Sequence, residues 1–215
     1  MKKIVRVSAL VAVCVLPVLS LAESNTTTPA VSGSTAIGRV DFTVVVPAVL
    51  FLRIGTGGAV GSAAVATIDS LSFTVPSTNV GDGTVIAGSA ASGDLSNGAV
   101  TVRVFSNFGS NVTLNSNVTG VLTNVGGDTI AWSQIAVVAG VNPSPTAGFT
   151  NTGITHPTFS ATTGNGTATT LTAASKLVRQ EGKWTFTYSN AAVVPAGTYG
   201  TSARNGRVTY TAAQI

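Results

Sequence analysis

Charge is what this sequence has least of. Lys, Arg, Asp and Glu make up 8% of the 215 residues, about a third of the ~25% usual for soluble domains. Such a surface has little repulsion to hold copies of the chain apart. Disorder does not follow, because 44% of the residues are apolar and disorder needs low hydrophobicity with high net charge. Cysteine and histidine are scarcer still, with one of each, Cys14 and His156. No disulfide can close within the chain, and a His/Cys zinc site, which takes four such ligands, is excluded by count. There is no Gly-x-Ser-x-Gly elbow to support a Ser-His-Asp hydrolase. The glycine-rich stretch at Gly55-x-Gly57 has Val60 where the dinucleotide fingerprint needs glycine, and no Gly-Lys-Ser/Thr phosphate loop occurs. Asp69, Asp82, Asp94 and Asp128 are scattered without calcium-loop spacing. The expectation is therefore a protein with no catalytic residues, no cofactor and no metal. His156, next to Pro157, reads as a solvated loop residue.

The charge that exists is concentrated at the start. Lys2, Lys3 and Arg6 precede an apolar run, residues 7–19, and Ser20-Leu21-Ala22 is a small-x-small site. Residues 1–22 thus read as a secretory signal peptide cut after Ala22. The run is too short to span a bilayer, which takes about 20 apolar residues, and Pro17 interrupts it. No later segment is long and apolar enough, so no membrane span is expected after cleavage. The leader takes Cys14 and three of the eleven basic residues, leaving eight against seven acidic ones. With the basic excess gone, a nucleic-acid partner has no electrostatic support. Residues 23–36, rich in Thr, Ser, Pro and Gly, read as a flexible polar lead-in.

Residues 37–54 form a strongly apolar β-type run. Within it, residues 38–46 place Val40, Phe42, Val44 and Val46 on one face of a strand, because successive side chains point to opposite faces. Pro47 cannot donate to a ladder and separates this strand from the next. Residues 68–75 alternate as well, with Asp69, Leu71, Phe73 and Val75 expected to face a core, and Pro76 ends them. Residues 99–105 set Val100, Val102 and Val104 against Thr101, Arg103 and Phe105, and residues 112–114 read as their hairpin partner across a turn at 107–111. Residues 130–138 are ambiguous and favour strand, since β-branched residues dominate and no helix cap precedes them. Residues 140–166 read mostly as loop, with a short strand near 169–171.

Residues 183–190 alternate aromatic and polar side chains, so that Trp184, Phe186 and Tyr188 share a face. A turn at 193–199 leads toward a strand, and residues 206–212 form a terminal one with Val208, Tyr210 and Ala212 together. Many short strands, Gly/Asn turns and no convincing helix indicate an all-β fold, an antiparallel β-sandwich over residues 37–215, with a closed barrel as the alternative.

The Gly38-Arg39-Val40-Asp41-Phe42-Thr43-Val44 segment behind a signal peptide, and the closing Pro195-Ala196-Gly197-Thr198-Tyr199 and Gly206-Arg207-Val208-Thr209-Tyr210 segments, resemble the fimbrial (pilus) subunits of bacterial chaperone–usher systems. The archaic, spore-coat-U-like branch is the nearest. The resemblance covers the two ends of the chain and its composition, and differs from many pilins in lacking a disulfide near the first strand. It implies an immunoglobulin-like sandwich completed by a donated strand, here Val40, Phe42, Val44 and Val46. It also implies a structural, non-enzymatic subunit that leaves through the periplasm for the cell surface. Its partners would be other copies of itself or homologous subunits, a periplasmic chaperone and an outer-membrane usher. The other reading of the residues is a monomeric secreted sandwich that binds a glycan or protein through loops such as 140–166.

Overall fold

The computed structural model describes residues 24–215, so the expected leader lies outside the described residues. The chain divides into two units, Met1–Val46 and Pro47–Ile215. In the first, a turn in which the Ser34 N–H donates to the Val31 carbonyl is followed by a stretch with no strand. The strand expected at 38–46 is therefore not formed. Alternation prepares one face of a strand, but a strand exists only where a second backbone accepts its ladder.

The second unit is all β. Its strands are β1 (Leu50–Ile54), β2 (Ile86–Ala87), β3 (Ala99–Ser106), β4 (Val112–Val118), β5 (Leu122–Thr123), β6 (Thr129–Ile130), β7 (Ile135–Gly140), β8 (Thr150–Asn151), β9 (Gly164–Asn165), β10 (Thr169–Leu171), β11 (Val178–Tyr188) and β12 (Val208–Gln214). Three short 3-10 turns are the only helical pieces among the described residues. The larger sheet runs β1-β3-β11-β2, with β7 and β8 also on β11. The smaller runs β10-β4-β12, with β9 beside β4, and β5 and β6 pair separately. Every pairing is antiparallel except β8 with β11.

β11 is the backbone of the larger sheet because its side chains suit both faces. Trp184, Phe186 and Tyr188 are buried on the core side, while Trp184 sits opposite Val100 of β3 and Ala139 of β7. The Trp184 indole N–H donates to the Ile154 carbonyl at 2.6 Å, so its polar atom is satisfied inside. Val100, Val102 and Val104 from β3 meet Val112 and Leu114 from β4 in the same core. Two sheets thus face each other across one apolar layer. Truncating Trp184 to alanine in such a layer costs about 3–5 kcal/mol.

This layering corrects the expected hairpin. β4 pairs with β10 and β12, not with β3. The two valine-rich faces bury from opposite sides of one core, which two strands joined side by side in one sheet cannot do. The turn between them is committed to the larger sheet, where Asn107 accepts from the Val49 N–H at 2.7 Å and donates to the Pro47 carbonyl at 2.9 Å, pinning the start of β1.

Other expectations fare differently. Residues 130–138 split into the end of β6, a 3-10 turn at Trp132–Gln134 and β7. The segment after 193 makes no strand before β12, and a 3-10 turn at Ser202–Arg204 intervenes. Residues 169–171 and the terminal strand form where expected.

Candidate functional site

The site with the most unexplained chemistry is an incomplete sheet edge in the second unit. β1 pairs only with β3, and β12 only with β4 among the described residues. Each keeps one free row of backbone groups. β12 alternates as the sequence predicts, but Val208, Tyr210 and Ala212 are only half-buried. Leu52 and Ile54 of β1 likewise touch the core without being covered.

Residues 69–75 lie against the same core. Asp69, Leu71, Phe73 and Val75 are half-buried and Ser70, Ser72 and Thr74 exposed, as the pattern predicts. Leu71 and Phe73 pack on the cluster that holds Trp184. Yet no strand forms here. Asp69 fastens the N-terminal end, its carboxylate accepting from the Thr56 amide and, at 2.9 Å, from the Thr56 hydroxyl. Gly55 makes that approach possible: its φ is +74°, and a Cβ there would stand 1.8 Å from Asp69 Oδ2. Alongside, a groove of about 330 Å³ follows β1 between residues 50–54 and 62–67.

Beneath the edge lies His156, which is not the solvated loop residue expected. Its ring centroid is 4.5 Å from Trp184 and 4.7 Å from Phe159, and its Nε2 is 2.7 Å from the Tyr210 hydroxyl of β12. Burial among these rings pushes the imidazole down to about 4, against the backbone of Pro157, which pulls the other way. The same burial raises the Tyr210 hydroxyl. The residues flanking His156 carried no signal of this; only the packing of aromatics from distant strands creates the cage.

The opposite, outward face of the larger sheet is closed. Glu181 is fully buried. Its carboxylate accepts from Arg103 at 2.8 Å and Asn142 at 2.5 Å through Oε1, and from the Thr146 amide at 2.8 Å through Oε2. Burial acts to raise its pKa, but hydrogen bonds from Arg103 and Thr146 outweigh it and hold the carboxyl below its usual value. Arg103 lies 5.1 Å over the Phe149 ring, and its Nε has no partner among the described residues. Residues 142–149 are loop, as expected of most of 140–166, and this loop folds down onto β3 and β11 through this pair and through β8.

The sequence-predicted residues Val40, Phe42, Val44 and Val46 all lie in the first unit and are strongly exposed, Phe42 at 88% and Val44 at 85%. Val45 is as exposed as Val44, so neither side of the segment is covered. Val40, Phe42, Val44, Val45 and Val46, five large apolar groups in water, forgo about 1.5–3 kcal/mol each relative to burial.

Among the described residues no group of three His, Cys, Asp or Glu could hold a metal ion, and no helix is long and apolar enough to cross a membrane. The chain matches no protein-family model, no curated protein and no solved structure.

Proposed function

We propose that this chain is a non-enzymatic structural subunit of a bacterial surface filament, exported through the periplasm and polymerised by strand donation between copies. The observation that carries the reading is a match between a surplus and a deficit. Val40, Phe42, Val44 and Val46 are strand-patterned side chains without cover, while a sheet edge elsewhere in the chain has apolar residues half-covered and backbone unpaired. Adding an extended segment to a sheet edge satisfies both, with backbone bonds supplying affinity and alternate side chains supplying register. An immunoglobulin-like topology completed in this way, with a chaperone and an usher to hold the edge before assembly, belongs to the same proposal. The low charge supports it, since copies that must abut along a fibre repel one another little.

The test is an SDS gel of surface-extracted protein, unheated and boiled, beside a Phe42→Asp variant. A ladder of heat-sensitive multimers that the variant loses is expected. A single monomer band from well-folded, unheated wild-type protein overturns the reading. That result favours a self-contained binding module, for which the groove of about 340 Å³ lined by Trp132, His156, Phe159 and the hydroxyls of Ser133 and Ser160 is the place to look.

A further inference from the structure

We infer that residues 69–75, which form no strand in the single chain, are the edge that receives the donated segment, and that they enter the sheet's ladder only when a second copy supplies residues 40–46. The inference rests on the strand-donation reading and says where the strand goes.

Burial alternating with a period of two is the mark of an extended chain with one side on a core, and residues 69–75 have it throughout. Leu71 and Phe73 are already seated on the apolar cluster. What the segment lacks is backbone partners: among the described residues its one backbone hydrogen bond is from the Ser89 N–H to the Ser72 carbonyl, at 2.8 Å. In an extended chain the N–H and C=O of one residue point to the same edge, and those of the next to the other. Ser72 faces Ser89, so Leu71 and Phe73 turn their N–H and C=O groups toward the open side. A row of unpaired groups beside a core is a template for another strand, and proteins usually blunt it with Lys, Pro or a bulge. Residues 69–75 contain no Lys and no Pro. Their one charge, Asp69, is engaged by Thr56.

The competing receivers are the free edges of β1 and β12. A strand inserted between two others holds them about 9.5 Å apart, twice the inter-strand spacing. Cα atoms of β1 and β12 come within 8 Å of each other, so no strand fits where they approach. Residues 69–75 match the seven residues from Val40 to Val46 in length, with Leu71, Phe73 and Val75 spaced two apart as Val40, Phe42, Val44 and Val46 are.

The experiment uses the chain carrying Phe42→Asp, which cannot donate, and a synthetic peptide of residues 38–46 as the probe. Amide exchange is followed by NMR with and without peptide. The Leu71 and Phe73 amides, fast in the free protein, are expected to slow by on the order of 100-fold when the peptide binds. Peptide binding with the slowing confined to β12 or β1 overturns this assignment and leaves strand donation standing. If the peptide does not bind and the wild-type protein forms no heat-sensitive multimers, strand donation itself fails and the assignment with it.

Discussion

The outer face of the larger sheet and its unfinished edge are made from the same kind of segment, a chain alternating apolar and polar residues, and they end in opposite states. On the outer face, β8 adds a ladder to β11 and Asn142 and Thr146 reach Glu181, so a charge pair lies fully covered. At the edge, Leu71 and Phe73 pack on the core half-buried, but a single backbone bond ties residues 69–75 down. Side-chain burial brings a segment to a core; backbone pairing decides whether it becomes part of the sheet. The edge is left in the first condition without the second.

The largest break in this comparison is Glu181→Ala. It leaves Arg103 buried without its carboxylate, and removing one partner of a buried pair costs about 3–5 kcal/mol. Thermal unfolding of the variant is expected near 10 °C lower, at about 2–4 °C per kcal/mol for a domain of this size. A loss under about 1 kcal/mol means that the outer face is not locked by this pair.

Acid probes the aromatic packing against β12, where His156 meets Tyr210. The fold favours neutral His156, whose pKa falls from 6.5 to about 4. Its contribution is therefore complete above pH 6.5 and is lost as pH falls toward 4, up to about 3 kcal/mol in that window. Urea titrations across it should give a smaller pH slope for His156→Gln than for wild type. Equal slopes would show that the ring is wetter than its aromatic cage implies.

The smallest effect should come from Asp69→Ala, which removes the bonds to Thr56 at a half-exposed position. About 1 kcal/mol is expected, together with faster exchange of the Thr56 amide and no change in the Glu181 network. An effect as large as that of Glu181→Ala would erase the distinction between the locked face and the loose edge.

Much of the architecture was legible because period-two patterning reports a local property. β3 and β12 appear close to where alternation placed them, and β11 starts at Val178, ahead of the expected 183–190. Leu71 and Phe73 face the core as read, and Trp184 and Phe186 share a face, which is the core face. Pairing was less legible. The β3–β4 hairpin was a reasonable inference from proximity, and it failed because adjacent strands can bury equivalent faces from opposite sheets. His156 was misread for a related reason: its cage is built from Phe159, Trp184, Phe186 and Tyr210, and all but Phe159 are distant in sequence. Glu181 and Arg103 sit at facing register positions of β11 and β3, which only the pairing reveals.

The sequence by itself determined the class of this protein: a low-charge, all-β chain without the residues for a His/Cys metal centre, with an apolar strand-like segment at 40–46. Which segments pair, which face is locked by Glu181, and which edge is left open were decided by the tertiary structure. The reason is physical. Side-chain alternation is written residue by residue, whereas a backbone hydrogen bond belongs to two segments at once and takes its partner from the fold.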